Sequence, residues 1–436
     1  MVCIFNTYKQ FSLYYYNLLL HPLYYLFEMS TASLFQPIET TLLNPFSGWS
    51  APLISGMTMQ PLEETDDTFR FTLAGLNTSF ANALRRTIQD DIPCYVFDIA
   101  TCKVDVNTGR LHNEILKQRL QCIPIHSKVI VEDWIKETPD HNLLANYVME
   151  LDVQNTGEHT IYVTTSDFKI KNKSTGRSLT ESEMDRLFPK DAITNSPLIF
   201  SRLRPRISES VPGEHLKLSC EFAISVAAEN SAFSAVCCAA YGNTIDPEAA
   251  DKAWESAELR IREEADKKGE SIDATEIAFQ KRNFQLLDRQ RHFTKDSFDY
   301  NIESVGIYEP RELCKMACVI LKTQFDALAA EIESDNATIL NSETTMENCF
   351  DFILARGDYT IGKILEYSLY ENGFVAKGSE PTIQYCGFKK FHPHDTHSVV
   401  RVSYFSKDSD KSWVKTHLKE SCVEAAAIFK ALASKF

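Results

Sequence analysis

Two distant segments of this chain are built to the same plan. Asn77–Ile99 reads NTSFANALRRTIQDDIPCYVFDI, and Gly357–Leu369 reads GDYTIGKILEYSL. Before the first, Phe69, Phe71 and Leu73 alternate with polar or small residues, the period of a half-buried strand. Asn77, Thr78 and Ser79 then offer caps, and Phe80, Ala83, Leu84 and Thr87–Ile88 recur at helical spacing. In the second, Phe350–Leu354 supplies the strand and Asp358 and Thr360 the caps. Ile361, Ile364–Leu365 and Ser368–Leu369 form the helical face. A strand–turn–amphipathic helix unit present twice points to an assembly platform rather than a catalyst.

The stretches between follow from local signals. Asp90–Asp91 and Ile92–Pro93 stop the first helix, because proline lacks a donor and its neighbour avoids the helical region. A strand is expected over Tyr95–Val106, a turn at Asn107–Gly109 and a helix over Leu111–Ile125 closed by Pro124. Residues 126–240 read as mostly strand, with pieces at Asn146–Val153, His159–Ile170 and Leu216–Ala227. The charged run over 246–290 suits a solvated helix pair. From Phe293 a strand leads to a helix starting at Pro310, with Leu313, Ala317, Ile320–Leu321, Gln324–Phe325, Leu328 and Ile332 in one stripe. Ser334–Glu347 reads as a linker with a reach of about 20 Å if flexible. Strands are expected around Thr382–Phe388 and Val399–Tyr404. The closing helix carries Val414, Leu418, Cys422, Ala425, Phe429 and Leu432, a stripe that must be covered.

Composition excludes some classes. The 436 residues suffice for two to four domains, and the net charge of −15 argues against a phosphate grip as the main business of the chain. The twelve cysteines include no C-x-x-C pair. Cys122, Cys237 and Cys238 sit in apolar runs, so buried, reduced thiols and a reducing compartment are expected. Cys314 and Cys318 stand four apart on a helix and are read as packing residues. The first 28 residues, rich in Tyr, Leu, Phe and Asn, lack a signal-peptide cleavage site and are too interrupted for a membrane span. Met29 as the true start meets neither objection; a disordered or partner-binding arm is the alternative.

NTSFANALRRTIQDDIPCYVFDI resembles the helix-and-strand motif of the alpha-like subunits of multisubunit DNA-directed RNA polymerases, with their L-A-N-A-L-R-R run before a proline turn. LHNEILKQRLQCIPI is similar to that family's L-x-D-E-x-x-x-H-R-L-G-L-I-P segment. It keeps Leu111, Glu114, Arg119, Leu120, Ile123 and Pro124 and departs at Asn113, Gln118 and Gln121. DSFDYNIESVGIYEP resembles the return strand and helix start of the third-largest subunit of eukaryotic polymerase II. The C-terminal hundred residues resemble its small partner, the eleventh subunit. Asp358–Gly362 stands where that family shows H-T-L-G-N, with Tyr359 and Ile361 substituted and Lys363 in place of Asn. YCGFKKFHP (Tyr385–Pro393) follows A-G-Y-x-x-P-H-P, with Arg401 in the next strand and a longer spacer at Glu371–Gln384. The likeness spans 65–125, 215–240 and 290–436. A fusion of the two subunits resembles the arrangement in some large DNA viruses.

The resemblance implies an α+β fold: the alpha-like dimerisation fold, a small antiparallel sheet plus helix pair, present twice as an intramolecular pseudo-dimer. Residues 57–100 and 291–335 would form the split third-subunit-like half, 101–290 an inserted mainly β domain, and 336–436 the eleventh-subunit-like half. Residues 1–56 would be an extension. Obligate interfaces of this kind bury roughly 2,000 Å² or more. Fusion makes the pairing intramolecular, at an effective concentration on the order of millimolar for a short flexible linker. Candidate interface residues are Phe80, Leu84, Ile88, Leu313, Ile320, Phe325, Leu328, Ile361, Leu365, Leu418, Cys422 and Phe429. Arg85 and Arg86 read blandly as a solvated helix end favoured by the dipole. The resemblance implies instead that they help dock the second-largest polymerase subunit, since a guanidinium fork bonds two oxygens. The implied partners are the largest and second-largest subunits and other small polymerase subunits, with DNA and RNA met only through the complex and no membrane. The implied place is cytoplasm (viral factory), nucleus or virion. No cofactor and no metal are expected, and no active site.

One enzyme reading competes. FHPHDTH (Phe391–His397) could bind zinc and activate water. The hydrolase pattern H-x-H-x-D-H needs its Asp one position later than Asp395, where Thr396 stands. No G-x-G-x-x-G, Walker loop or G-x-S-x-G occurs. An unrelated scaffold with a coincidental helix motif is the other rival.

Overall fold

The computed structural model describes residues 54–126, 143–208, 211–269, 273–334, 336–343, 346–355, 358–375 and 380–436. The readings made for residues 1–28 lie outside them. Elements run β1 (Thr58–Glu64), β2 (Thr68–Ala74), α1 (Thr78–Asp90), β3 (Cys94–Asn107), α2 (Asn113–Gln121), β4 (Tyr147–Gln154), β5 (Ile161–Thr164), β6 (Lys169–Asn172), α3 (Glu181–Leu187), β7 (Ile199–Leu203) and β8 (His215–Ser225). They continue with β9 (Val236–Ile245), α4 (Pro247–Lys268), α5 (Ala274–Leu286), β10 (Phe293–Ser304), α6 (Pro310–Glu333), β11 (Thr338–Asn341), β12 (Cys349–Leu354), α7 (Tyr359–Leu369), β13 (Ile383–Lys389), β14 (Ser398–Tyr404) and α8 (Lys411–Ala433). Mixed helix and antiparallel sheet make this an α+β protein.

Two four-stranded antiparallel sheets have orders β1-β2-β10-β9 and β11-β12-β14-β13. In each, both central strands run straight into a helix: β2 into α1 and β10 into α6, β12 into α7 and β14 into α8. The inward faces follow the period of two. Phe69, Phe71 and Leu73 lie fully buried beside Phe298, Tyr300 and Ile302 of β10. Phe71 stacks on its register partner Tyr300 at 4.8 Å between ring centres. In the second sheet Phe350, Phe352 and Leu354 face inward with Val400, Val402 and Tyr404.

A third sheet, β3-β8-β4-β6, and the pair β5-β7 enclose a separate core. Its centre is aromatic, with the Phe97 ring 5.1 Å from Phe222 and 6.1 Å from Phe168. β3 joins the two cores. Cys94 and Val96 belong to the first, while Tyr95 and Phe97, on the opposite face, belong to the second.

Several expectations need correction. The Ser334–Glu347 segment is not simply a linker, since Thr338–Asn341 pairs with Phe350–Ile353 as the edge of the second sheet. Only Asn113–Gln121 of the Leu111–Ile125 stretch is helical. His159–Ile170 breaks into two strands around a short 3-10 turn at Thr165–Asp167, whose capping box on Thr164 the strand pattern hid. Glu181–Leu187 is helical within a region read as strand. Cys122 and Cys237 are exposed and Cys238 is half-buried, because an apolar neighbourhood in sequence does not decide which face a residue takes. Every cysteine among the described residues is a free thiol.

Candidate assembly interface

The four helices α1, α6, α8 and α7 pack in a closed ring, each touching the next, with the broadest contact between α6 and α8. Local chemistry sets each one. The Asn77 side chain accepts from the Ser79 N–H and starts α1, while Asp358 accepts from the Tyr359 N–H and starts α7. Pro310 opens α6 at the position where its missing N–H costs nothing. Asp410 accepts from Ser412 and Trp413 and starts α8. At 24 residues, α6 spans about 36 Å.

Counted from their N-caps, α1 and α7 present the same pattern. Phe80 corresponds to Ile361, Ala81 to Gly362, Ala83 to Ile364, Leu84 to Leu365, Thr87 to Ser368 and Ile88 to Leu369. All are buried except Ile361, which is half-buried. The correspondence ends at the outward positions, where Arg85 and Arg86 stand opposite Glu366 and Tyr367.

Of the candidate interface residues, Phe80, Leu84, Ile88, Leu313, Phe325, Leu328, Leu365, Leu418, Cys422 and Phe429 lie inside one continuous core. Ile320 and Ile361 pack against it from half-buried positions. Rings from both sheets' helices meet there: Phe429 lies 5.5 Å from Phe80 and 6.0 Å from Phe325, and Phe80 meets Tyr367 edge-on at 6.2 Å. Phe436 reaches the first sheet, 5.2 Å from Phe71. Cys314 and Cys318 are fully buried in the same core, and burial pushes both thiols up.

The two arginines separate. Arg86 crosses to α7, its Nη2 donating to Asp358 Oδ2 at 2.6 Å and its Nε to Thr360 Oγ1 at 2.9 Å. Arg85 stays on its own helix, donating to Asn82 Oδ1 at 3.2 Å and Gln89 Oε1 at 2.8 Å. Beside this joint, burial and then the neighbouring Asp90 raise the Asp91 carboxyl to about 6, against the Thr87 hydroxyl and Arg86. In the sequence Asp358 and Thr360 read as caps and as part of the H-T-L-G-N-like segment, with nothing to pair them with Arg86. Arg86 and Asp358 are 272 positions apart, and no signal along the chain links them.

His392 and His394 sit on an exposed turn with rings 5.2 Å apart, and the His394 N–H donates to His392 Nδ1. Among the described residues, no group of three or more His, Cys, Asp or Glu could hold a metal ion. No described helix is long and apolar enough to cross a membrane.

Residues 70–325 match the family model of the RNA polymerase Rpb3/Rpb11 dimerisation domain. The chain belongs to this family. Among Rpb3-type relatives, it is 38% identical to the DNA-directed RNA polymerase subunit Rpo3 of Pyrococcus furiosus over 17% of this chain and 28% of that protein. It is 24% identical to the DNA-directed RNA polymerase II subunit RPB3 of Schizosaccharomyces pombe over 64% of this chain and 88% of that one. The match to subunit 3B of the DNA-directed RNA polymerases IV and V of Arabidopsis thaliana is 35% over 16% of this chain and 22% of that protein. The chain thus matches about a quarter of the length of the archaeal Rpo3 relatives. The Rpb3/Rpb11 match covers both α1 and most of α6.

Proposed function

We propose that this chain is a non-catalytic assembly subunit of a DNA-directed RNA polymerase, folded as an intramolecular pseudo-dimer. The observation that carries the reading is the closed ring of α1, α6, α8 and α7 around one core, each sheet contributing two helices from its central strands. The shared strand order and the matching buried positions of α1 and α7 support a third-subunit-like half at 57–100 and 291–335 and an eleventh-subunit-like half at 336–436. The separate core beneath β3, β8, β4 and β6 supports an inserted domain over 101–290. In a fused chain the second half cannot be exchanged for another partner.

On this reading, the platform receives the largest and second-largest polymerase subunits, together with other small subunits. Those large chains hold the magnesium, template and nucleotides, and this one meets DNA and RNA only through them. Arg85 is the docking arginine, because its guanidinium stays on the outer side of α1. Arg86 serves as a latch between the halves. Free thiols, buried in the core at Cys314, Cys318 and Cys422, suit a reducing compartment such as the nucleus or a cytoplasmic viral factory.

A tagged chain purified from its native source tests the reading. Two very large polypeptides with template-dependent RNA synthesis are the expected companions. Recovery of the chain alone, at low salt and without crosslinker, would overturn it.

A further inference from the structure

Two thiols meet across β3 and β8. Asp98 pairs with Glu221 and Lys103 with Ser219, so Ile99–Cys102 stand against Cys220 alone. β3 bulges over that gap, with Ile99 and Ala100 exposed. Side-chain bonds close the bulge where the regular ladder stops. The Thr101 hydroxyl donates to the Asp98 carbonyl at 2.8 Å and accepts from the Glu221 N–H at 3.1 Å. The Ala100 N–H donates to Asp98 Oδ1 at 2.9 Å. Cys102 and Cys220 both belong to the aromatic second core, 5% and 1% exposed.

The Cys220 thiol has the Asp98 carbonyl within 3.3 Å and lies in hydrogen-bond contact with the Cys102 sulfur. Residues opposed across antiparallel strands have Cα atoms about 4.5–5.5 Å apart, inside the span that a disulfide takes. The bond from Cys220, and then the Lys117 ammonium, pull the Cys102 thiol down against its burial. The same bond, and then burial, push Cys220 up. Cys102 is therefore the readier thiolate, and Cys220 keeps its proton. Two other close pairs differ. Cys237 and Cys238 are neighbours on one strand and point to opposite faces, while Cys314 and Cys318 lie fully buried on one helix.

We infer that Cys102 and Cys220 are a reversible oxidation site, at which a hydroperoxide converts the two thiols to a disulfide that staples β3 to β8. The Cys102 thiolate attacks one peroxide oxygen and the O–O bond breaks, leaving a sulfenic acid; the departing oxygen takes up the thiol proton. The Cys220 sulfur then attacks the sulfenic sulfur. The S–O bond breaks, and hydroxide leaves as water with the Cys220 proton. Two thiols together lose two electrons and two hydrogens, and the hydroperoxide becomes an alcohol and water. A dithiol reverses the step by exchange. The chain between the two sulfurs holds α2, β4, β5, β6, α3 and β7. The bond thus closes a loop around most of the second core and restricts its opened state.

Hydrogen peroxide added to the reduced full chain, followed by thiol alkylation and non-reducing peptide mapping, tests the inference. A peptide linking Cys102 to Cys220 should be the main disulfide of the folded monomer. Amide exchange in β4 and β8 should then slow about tenfold, and dithiothreitol should restore it. Cys220→Ser should strand Cys102 as a sulfenic acid that a 1,3-dione probe labels, while Cys102→Ser should leave Cys220 unlabelled. The linked peptide of the parent chain needs no substitution, so a serine variant that misfolds does not remove the test. Four results would overturn the inference: both thiols still reduced once peroxide has consumed the exposed Cys122 and Cys237, a link that forms only in urea, a link that leaves exchange in β4 and β8 unchanged, or a dione label on Cys220 with Cys102 untouched.

Discussion

Arg86, near the end of α1, donates to Asp358, the residue that caps α7, and so ties the two helices together at 2.6 Å. The same guanidinium bonds Thr360, two residues further on, giving a fork that lysine cannot reproduce. Both ends remain partly exposed, the side chains at 29% and 42%, so solvent screens the pair. Arg86→Ala is therefore expected to cost about 1 kcal/mol, well below a buried pair. Arg86→Lys should fall between. Urea denaturation of the single and double variants with Asp358→Ala measures the coupling, and a cycle that closes with no interaction energy rules out the latch.

Asp91 sets the pH response of the joint. Its carboxyl is raised from 3.8 to about 6, first by burial and then by Asp90, with Asp358 adding to the rise and Thr87 and Arg86 opposing it. A raised carboxyl binds more protons folded than unfolded between those two values, so stability falls as pH climbs through that window. Asp91→Asn does not titrate. It should exceed the parent by about 1–3 kcal/mol at pH 7.5, and the gap should close near pH 4. Thermal unfolding across pH 4 to 8 decides this; an unchanging gap means that the neutral side chain acts by other means.

Gly362 holds α7 close to β13. A Cβ there would stand 2.1 Å from the Phe388 ring, a distance no real contact shows. Gly362→Ala should destabilise by about 1–3 kcal/mol through overpacking, despite the better helix propensity of alanine. Adding Phe388→Ala should return part of that loss. If Gly362→Ala proves neutral or stabilising, the ring moves aside freely and the approach is not a constraint.

The histidine turn offers a test by removal. His392 and His394 are exposed and contact each other. Chelator treatment, and the double change His392→Ala and His394→Ala, should leave stability within about 0.5 kcal/mol, as for an ordinary surface. Stoichiometric zinc by elemental analysis, lost with the histidines, would revive the hydrolase reading.

What was legible in the sequence was whatever periodicity writes. Phe69, Phe71 and Leu73 announced a strand face, and the stripe from Leu313 to Ile332 announced a helix that needed covering. Asn77 and Asp358 were readable as caps because a short polar side chain before an apolar helical run has few other uses. Long-range pairing left no such trace. The Arg86–Asp358 bond, and the strand at Thr338–Asn341 hidden in polar residues, depend on contacts that only the folded chain supplies. Cys122 and Cys237 failed for a related reason, since face, not neighbourhood, decides burial. The family came through motifs rather than periodicity, and the likeness of Asn77–Ile88 to Asp358–Leu369 was already legible in their caps and apolar spacing.

Phe80 and Phe429 provide the most direct test of the ring itself. Phe80 belongs to α1 and Phe429 to α8, both are fully buried, and their rings lie 5.5 Å apart. Truncating either to alanine leaves a cavity and should cost about 3–5 kcal/mol. Residues that share one cavity do not add, so the double variant should lose less than the two singles together, by about 1 kcal/mol or more. In the parent and single variants, amide exchange in α1 and α8 must also open in one step, because a core shared between both sheets cannot melt in halves, whereas the separate core beneath β3, β8, β4 and β6 can melt on its own. Separate opening of α1 and α8, with additive losses, would mean that residues 336–436 fold apart from the first sheet and that the platform is not one unit.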